Sequence, residues 1–406
     1  MKGAATKAVA LGALGYFVDT LDLFLFSVLR VPSLADLGVA TNKEALIAQG
    51  VRLLNFQMAG LLLGGLVFGV LGDRRGRVRA LYGSILLYSI ATLLNGLVRT
   101  LDQYALCRFF AGIGLAGELG AAITLVSESL PAERRGFGTT LVAGFGVCGG
   151  IVAAVLAGRL GWRSCYLVGG SLGLLLLLVR THLAESTLFL AGQSAPQPDR
   201  RGSLRLLLGQ RRRRALYLRL VLTGLPIWMV AGVLMVFSPE LGAALGLPGV
   251  TAAHAVLYSF IGFSIGDFLS GLLSQLLRSR RRAIALFLGL MAIGLLLYFL
   301  VGGRSLLWHY ALAFLLGITT GYWAVLVTAA AEHFGTNLRA TVTTTIPNVV
   351  RASTILLSLT FSHLQSRLGP LRAAAITAVA TLLLALVALS GIEETFGRDL
   401  GFDETR

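Results

Sequence analysis

Long apolar stretches alternate with short polar ones along almost all of this 406-residue chain. Each apolar run is close to the ~20 residues that a helix needs to cross the hydrocarbon core of a bilayer. Division at charged or Gly/Pro-containing breaks gives about twelve runs, which we call spans 1 to 12. They cover residues 8–29, 51–71, 80–98, 104–130, 137–157, 164–182, 215–237, 251–277, 283–301, 307–331, 341–364 and 372–392. The pattern predicts an all-α integral membrane protein with twelve transmembrane helices.

One long polar connection divides the spans into two groups of six. We expect an N-terminal six-helix domain at 1–182, a cytoplasmic linker at 183–214, a C-terminal six-helix domain at 215–392 and a cytoplasmic tail at 393–406. Arginine is concentrated in the loops at one set of alternate ends. These loops contain Arg74 to Arg79, Arg134 and Arg135, Arg211 to Arg214, Arg278 to Arg282, and Arg339. The positive-inside rule therefore predicts a multi-pass protein with both termini in the cytoplasm, in a plasma membrane or bacterial inner membrane.

The composition agrees with this prediction, since 56% of the residues are hydrophobic, 13% are charged and 50 are glycine. A soluble domain does not have this composition, whereas a polytopic helical membrane protein does. A net charge of +16 is also compatible with nucleic-acid binding. Most arginines, however, lie in short clusters between apolar runs. Membrane topology explains the charge better, and we expect no nucleic-acid partner.

A dense charge cluster separates spans 2 and 3 and is typical of a hairpin turn at a bilayer surface. Asp73 ends one helix and arginines lead into the next, so a carboxylate can pair with a guanidinium across a tight loop. Gly69, one turn before Asp73, lets a neighbouring helix come close. A merely basic loop that obeys the positive-inside rule is the alternative. That alternative does not explain an acid and two glycines at these spacings.

This cluster contains the pattern Gly-x-x-x-Asp-Arg-x-Gly-Arg, formed by Gly69, Asp73, Arg74, Gly76 and Arg77. The pattern resembles the loop between helices 2 and 3 of the major facilitator superfamily of transporters. Val78 replaces the second basic residue that is usual there. The resemblance implies two pseudo-symmetric six-helix domains with a substrate site between them.

The same pair of residue types, a glutamate and an arginine, recurs after spans 4 and 10 in the two halves of the sequence. Glu128 and Arg135 follow span 4, while Glu332 and Arg339 follow span 10. The offset is the same for both residues, because 332 − 128 and 339 − 135 are each 204. Two parallel six-helix repeats with a binding site between them are typical of secondary transporters.

Three further stretches narrow the resemblance to one branch of the family. A pattern in span 4 resembles the fourth helix of metabolite:proton and aromatic-acid:proton symporters; it consists of Arg108, Gly112, Gly114, Gly117 and Glu118. Glu185-Ser186-Thr187 resembles a degraded Glu-Ser-Pro-Arg element of sugar porters, and residues 394–400 are similar to the tail of the same group. Span 5 lacks the Gly-Pro pair that drug:proton antiporters carry. The resemblance therefore favours the branch of sugar porters and organic-acid symporters.

Several ionisable residues fall inside the spans, where each costs at least ~2.5–3.5 kcal/mol on insertion scales. Asp19 and Asp22 share one face of span 1, and Glu118 lies near the middle of span 4. Asp22 and Arg108 either form a structural salt bridge or belong to the substrate site, and the sequence leaves both open. Asp19 and Glu118 are harder to pair. Asp19, Asp22 and Glu118 are therefore the candidate carriers of a coupled proton.

Arg351 lies deep in span 11, whose own sequence offers no acid to neutralise it. It must meet Asp267 of span 8, an acid of the N-terminal domain, or a ligand. A guanidinium is suited to a carboxylate held by two hydrogen bonds, and Asn348 shares its helix face. Pro347 removes a backbone donor and is expected to open the helix locally. We expect an anionic small-molecule substrate at Arg351 and Asn348.

Aromatic residues of spans 7, 8 and 10 are further candidates for the wall of a central cavity. They are Trp228, His254, Tyr258, Tyr322 and Trp323. For each of them, packing against lipid or protein is the simpler interpretation. Tyr322 is the strongest candidate, since the offset of 204 relates it to Glu118 (322 − 118).

Alternating access needs contacts that hold the two domains together on the cytoplasmic side while the site faces outward. We assign this gating role to the loop acids and arginines of both halves and to the glycines beside them. These residues are Gly69, Asp73, Arg74, Gly76, Arg77, Glu128, Arg135, Glu332 and Arg339.

The sequence shows no enzyme or metal constellation, because it has no phosphate loop and its His and Cys residues are scattered. We expect a non-enzyme without a cofactor, working as a monomer in the lipid bilayer and driven by a proton gradient. The favoured function is proton-coupled symport of a small organic anion. The alternatives are a proton-driven antiporter or exporter of an amphipathic or cationic compound, and a non-transporting membrane sensor with the same fold.

Overall fold

The structure is a computed structural model that describes residues 2–39, 43–180, 202–398, 401, 402 and 404. Within these ranges the chain consists of helices and short connections, without a strand. Most of the predicted linker, the Glu185-Ser186-Thr187 element and the last two residues of the tail pattern lie outside the described residues.

The predicted spans correspond to helices, most of which begin a few residues before the apolar run. Spans 1 to 6 are the helices Lys2–Asp36, Lys43–Arg75, Arg77–Asn95, Leu101–Leu115 with Glu118–Ser129, Ala132–Ala157, and Trp162–Val179. Spans 7 to 12 are Arg211–Met229 with the π-helical turn Val230–Leu234, Ala252–Leu276, Arg280–Val301, Leu306–Thr320 with Trp323–His333, Arg339–Ala352 with Thr354–Leu368, and Pro370–Ser390. Two short helices, Leu204–Gly209 and Ser238–Ala244, precede and follow span 7.

Among the described residues, 11 helices are long and apolar enough to cross a membrane. The remaining span is span 11, which divides at Ser353 into pieces of 14 and 15 residues. We expected the helix to open at Pro347, and this expectation was wrong. Pro347 lies inside a continuous helix, because close packing against spans 2 and 4 holds this segment helical despite the missing donor.

The two groups of six spans pack in the same way. Span 2 packs against span 4, and span 3 packs against spans 4 and 6. In the second group, span 8 packs against span 10, and span 9 packs against spans 10 and 12. The halves meet chiefly where span 2 contacts span 11 and where span 5 contacts span 8. We call the end of the bundle with the loops after spans 2, 4, 8 and 10 the basic face, and the other end the opposite face.

Glycines bring spans within each half into backbone contact. A Cβ atom on Gly60 of span 2 would overlap the carbonyl oxygen of Phe109 in span 4. A Cβ atom on Gly262 of span 8 would overlap the carbonyl oxygen of Phe314 in span 10. Any larger residue would push these helices apart, so the same close packing recurs in both halves.

Spans 4 and 10 are both interrupted, although the sequence predicted each as one continuous run. Span 4 starts a new helix at Glu118, and span 10 starts a new helix at Trp323, directly after Tyr322. The two interruptions fall at equivalent places in the repeat, since 322 − 118 is 204. Each interruption leaves backbone groups near the middle of a span that side chains can satisfy.

Candidate functional site

A buried ion pair joins the two halves in the interior of the bundle. Arg351 Nη2 of span 11 lies 3.3 Å from Asp19 Oδ2 of span 1. The same guanidinium is 3.4 Å from the Tyr16 hydroxyl and 3.5 Å from Asn348 Oδ1. Of the three partners expected for Arg351, the structure therefore brings an acid of the first half next to it.

Aromatic rings surround this ion pair. The guanidinium carbon of Arg351 lies 5.7 Å from the ring centre of Tyr16, 5.9 Å from Trp228 and 6.0 Å from Trp323. Trp323 Nε1 donates a hydrogen bond of 3.0 Å to the Tyr16 hydroxyl. Such rings stabilise a cation through their negative faces and also offer flat apolar surface. The Arg351 site is thus a cationic group inside an aromatic wall.

The second acid of span 1, Asp22, lies near Arg108 of span 4. Arg108 Nη1 is 3.7 Å from Asp22 Oδ1, which is longer than a hydrogen bond. The Arg108 guanidinium carbon also lies 5.8 Å from the ring of Phe26 and 5.6 Å from that of Tyr166. This pair is loose and fully buried, so a small rearrangement can open or tighten it.

Glu118 has a partner that the sequence analysis missed. Arg180, at the end of span 6, contacts both carboxylate oxygens of Glu118 at 2.6 and 2.9 Å. Arg180 also donates to the Leu11 carbonyl oxygen. A Cβ atom on Gly15 would overlap this pair, so Gly15 makes room for it. The expectation that Glu118 is hard to pair was wrong, because the long side chain of Arg180 reaches inward from the end of span 6.

Two other predicted site residues tie helices together. Asn348 Nδ2 donates hydrogen bonds of 2.7 Å to the carbonyl oxygens of Ala116 and Thr344. Tyr322 donates a hydrogen bond of 2.8 Å to the Thr223 carbonyl oxygen and is fully buried. Asn348 thus connects span 11 to span 4, while Tyr322 connects span 10 to span 7.

The remaining residues named from the sequence lie elsewhere. His254 is bonded to Thr251 at the start of span 8, and the rings of His254 and Tyr258 pack on Tyr310 toward the opposite face. Neither lines the Arg351 site, because span 8 begins at that face. Asp267 of span 8 accepts a hydrogen bond of 3.0 Å from the Ala324 amide and so caps the second helix of span 10.

Asp73 links span 2 to span 11 at the basic face. Its carboxylate accepts hydrogen bonds from the amides of Ala340 and Thr341 at 3.1 and 2.7 Å, and from the Thr341 hydroxyl at 2.6 Å. Asp73 therefore caps the N-terminus of span 11 across the boundary between the halves. Arg77 Nη2 lies 3.4 Å from the same carboxylate.

The glycines of this cluster allow the close approach. A Cβ atom on Gly69 would lie 3.1 Å from Thr341 Cα of span 11. Gly76 precedes span 3 with a φ of 108°, a conformation that favours glycine. The Arg74 side chain is exposed at the basic face.

The acids and arginines after spans 4 and 10 form a charge network beside Asp73. Glu128 Oε1 is 3.1 Å from Arg77 and 3.3 Å from Arg339, so it bridges both halves. Glu332 instead pairs with Arg280 inside the second half at 3.0 Å. Arg135 donates to the Ser127 carbonyl and Arg339 to the Ala331 carbonyl, each at 3.2 Å. These two contacts are equivalent in the repeat, because donor and acceptor are both shifted by 204 residues. The network is thus symmetric in its backbone contacts and asymmetric in its ion pairs.

Two pairs of threonine hydroxyls also connect the two halves, on the spans that carry this charge network. Thr124 Oγ1 of span 4 lies 2.6 Å from Thr343 Oγ1 of span 11, and Thr139 Oγ1 of span 5 lies 2.7 Å from Thr328 Oγ1 of span 10. The repeat exchanges the two pairs, because 328 − 124 and 343 − 139 are both 204. None of these threonines stands out in the sequence, because a hydroxyl inside an apolar run needs no partner outside its own helix.

The opposite face is joined by a second ion pair that the sequence analysis also missed. Arg30 Nη2, near the end of span 1, contacts both carboxylate oxygens of Glu240 at 2.8 and 3.1 Å. It also donates to the Val236 carbonyl oxygen at 3.2 Å. The two halves therefore contact each other at both faces, with the Asp19–Arg351 pair between them.

Curated relatives match most of the chain. A putative metabolite transport protein of Haemophilus influenzae is 29% identical over 367 residues, which are 85% of this chain and 86% of the relative. The 3-(3-hydroxy-phenyl)propionate transporter of Escherichia coli is 29% identical over 338 residues, covering 78% of this chain and 79% of that protein.

Solved structures show the same architecture. The structure of the proton:xylose symporter XylE bound to 6-bromo-6-deoxy-D-glucose superposes with a TM-score of 0.76 at 17% identity and covers 98% of both chains. At this identity the likeness shows the fold. The family model described as Major Facilitator Superfamily matches residues 12–353. The chain is therefore a multi-pass membrane protein that belongs to the major facilitator superfamily of transporters.

Proposed function

We propose that this transporter moves a small organic anion together with a proton, by alternating access between two half-molecules. The observation that carries the proposal is the buried Asp19–Arg351 pair, which joins the halves inside an aromatic wall. The arginine bias of the basic face supports a cytoplasmic location for it and for both termini, in a bacterial inner membrane. The protein would act as a monomer and without a cofactor.

Arg351 is the proposed anchor for the carboxylate of the substrate. Its fork of N–H groups can hold two carboxylate oxygens at once, and no lysine could do so with the same geometry. The rings of Tyr16, Trp228 and Trp323 favour a substrate with a flat apolar part. The hydroxyphenyl propionate named for the relative in Escherichia coli is a carboxylate of this shape.

Asp19 is the proposed proton carrier, because it competes with the substrate for the same guanidinium. While Asp19 is ionised it pairs with Nη2 of Arg351, so a substrate carboxylate must compete with Asp19 for that nitrogen. Protonation of Asp19 weakens the pair and frees Arg351 for the substrate carboxylate. One proton then accompanies one carboxylate charge, so the loaded site carries the same net charge as the empty one. That equality avoids an uncompensated charge in the low-dielectric interior.

The test is transport by purified protein in liposomes, with the Asp19 and Arg351 variants compared in two assays. Asp19→Asn should still exchange labelled substrate at equilibrium but lose accumulation driven by an imposed proton gradient. Arg351→Lys should weaken binding by about 1.5–3 kcal/mol, the range for a hydrogen bond to a charged group. Arg351→Ala should abolish binding in a folded protein. Asp102→Asn is the matched control, because its side chain is 83% exposed.

Three results would contradict the proposal in different ways. Proton-gradient accumulation by Asp19→Asn would move the proton to Asp22 or Glu118. Unchanged substrate affinity in Arg351→Ala would remove the anion site and favour the antiporter of a cationic or amphipathic compound. Binding without any turnover in liposomes would favour the sensor.

A further inference from the structure

A cavity lies at the basic face, lined by other residues than the Asp19–Arg351 pair. It is about 360 Å³ in volume and lies among the start of span 7, the ends of spans 10 and 12, and the C-terminal tail. We call it the tail cavity. Its lining residues include four arginines, which are Arg212, Arg213, Arg219 and Arg398.

The positive charge of the tail cavity exceeds its negative charge. Among the described residues that line it, the acids are Glu393 and Glu404, which pair with Arg212 at 2.8 Å and with Arg213 at 3.2 Å. The hydrogen bond from Arg212 holds the pKa of Glu393 below its usual range, so this acid stays ionised at neutral pH. Two of the four arginines are thus neutralised inside the cavity.

The other two arginines have no carboxylate partner among the described residues. Arg219 donates to the Gly391 carbonyl oxygen at 2.7 Å, and the Arg398 guanidinium lies 5.1 Å from the centre of the Phe402 ring. Each guanidinium therefore keeps N–H groups for a further acceptor. Counted over the described lining residues, the surplus of two positive charges matches the charge of a phosphate dianion.

A buried histidine supplies the second observation that indicates a ligand. His333 lines the cavity and is only 4% exposed. Its Nδ1 bonds to the Ala329 carbonyl at 2.7 Å, while its Nε2 has no hydrogen-bond partner in the described part of the chain. A buried polar atom without a partner is costly. Nε2 can accept a hydrogen bond from a phosphate hydroxyl or, once protonated, donate one to a phosphate oxygen.

We propose that the tail cavity binds a phosphate group, held by Arg219, Arg398 and His333. The cavity also touches the boundary between the halves, because Arg135 of the first half donates to the Arg398 carbonyl oxygen at 3.3 Å. A bound phosphate fixes the tail in this position and so favours the closed basic face. By linkage, closure of that face also raises the affinity for phosphate.

The experiment measures binding of inorganic phosphate to the full-length protein by calorimetry, in a neutral detergent free of phosphate. Arg219→Gln and Arg398→Gln should each weaken the affinity by about tenfold, because each removes a charge-assisted hydrogen bond. Arg398→Lys keeps the charge and guards against a variant that fails to fold. Arg205→Gln is the matched control, since Arg205 is exposed on the short helix before span 7 and does not line the cavity.

A lipid headgroup presents the same chemistry, and a second arm separates it from free phosphate. Wild-type protein and the variants are compared in nanodiscs of phosphatidylcholine with and without phosphatidylglycerol. Binding of free phosphate that depends on Arg219 and Arg398 supports a soluble ligand. A thermal stabilisation by phosphatidylglycerol alone, lost in the same variants, supports a lipid headgroup. No binding in either arm, or an equal loss in Arg205→Gln, would overturn the site.

The link to closure has its own readout in liposomes. Phosphate added only to the compartment that the basic face contacts should slow substrate exchange by the wild-type protein and leave Arg398→Gln unaffected. An unchanged wild-type rate at saturating phosphate would overturn the link. Because the calorimetric arm needs no transport, its failure is distinguishable from failure of the proposed symport.

Discussion

Two ion pairs buried in the spans differ in the halves that they connect. Asp19 and Arg351 come from different halves, whereas Glu118 and Arg180 both belong to the first half. A pair inside one half can stay intact while the halves rock against each other. A pair between the halves must be remade in each cycle, which makes it the natural place for a substrate or a proton to intervene. Glu118 is therefore better explained as a structural residue.

Replacing Glu118 should mainly lower the stability of the protein. Glu118→Gln leaves Arg180 buried without a carboxylate, and breaking a buried pair costs about 3–5 kcal/mol. We expect a large drop of the unfolding temperature in detergent, partly restored in the double variant Glu118→Gln/Arg180→Gln. Asp19→Asn should show a smaller drop, since the Tyr16 hydroxyl and Asn348 still contact Arg351. A Glu118→Gln protein with wild-type stability that loses only gradient-driven accumulation would restore Glu118 as the proton carrier.

At this scale the sequence shows which residues need a partner, but not which partner each has. Arg351 and Asp19 stand out because charges inside apolar runs are rare and costly. Arg180 and Arg30 do not, because each lies near the end of a span, where a long side chain can extend to the polar surface. Their long side chains reach inward, and the distances involved depend on how the helices pack. Asp73 and Gly69 were recognisable because a short local motif fixes their spacing.

At the scale of elements, hydropathy locates the spans but not their interruptions. The apolar run at 283–301 is close to the helix Arg280–Val301. The run at 104–130 was likewise predicted as one helix, yet the chain starts a new helix at Glu118. A local break in a helix changes few apolar residues of the run. It depends on side chains of other spans that cap the new helix, as Asp267 does by accepting a hydrogen bond from the Ala324 amide. Hydropathy alone cannot detect such caps.

The two threonine pairs are well suited to repeated opening. Thr328 also donates to the Ala324 carbonyl at 2.7 Å, and Thr343 to the Arg339 carbonyl at 2.8 Å. When the halves separate, each hydroxyl can keep this bond within its own helix. The crossing bond is therefore lost without leaving an unsatisfied donor. Such a contact holds the basic face closed at a low cost of opening.

Thr343→Val should shift the protein toward the state with an open basic face. Valine keeps the shape and removes the hydroxyl, and the net value of one hydrogen bond is about 0.5–1.5 kcal/mol. We expect about a twofold to tenfold faster labelling of an engineered cysteine at the basic face. Thr328→Val should act similarly, and the double variant should add both effects because the pairs share no residue. Thr377→Val is the control, as its hydroxyl bonds within span 12; equal labelling in all variants would contradict the role.

At the scale of the whole molecule, polar contacts join the two halves at both faces. Asp73 and Glu128 hold the basic face, and Arg30 with Glu240 holds the opposite face. Rocking requires one of these contacts to open while the other stays closed. The twofold repeat and the family were predictable from the offset of 204 and from the motif between spans 2 and 3. The contacts of the opposite face were not, because Glu240 lies on a short helix without a repeat counterpart in the motifs.

The contacts at the basic face and those at the opposite face stabilise different states of the transporter. Weakening either set should therefore shift the equilibrium toward the state in which that face is open. Asp73→Asn removes the charge that caps span 11 across the boundary and should favour an open basic face. Glu240→Gln removes the carboxylate that neutralises buried Arg30 and should favour an open opposite face. Both variants should transport more slowly, because each makes one half of the cycle harder. Substrate affinity should change much less, since neither residue contacts the Arg351 site.

Pairs of spin labels can follow both faces in the same preparation. Labels at Arg75 and Arg282, both exposed at the basic face, should move apart in Asp73→Asn and approach in Glu240→Gln. Labels at Leu97 and Leu307 of the opposite face should show the reverse changes. The exposed Asp102→Asn serves again as the control and should leave both distances unchanged. If Asp73→Asn and Glu240→Gln opened the same face, or if wild-type turnover persisted in Asp73→Asn, the two contacts could not be opposing gates of one cycle.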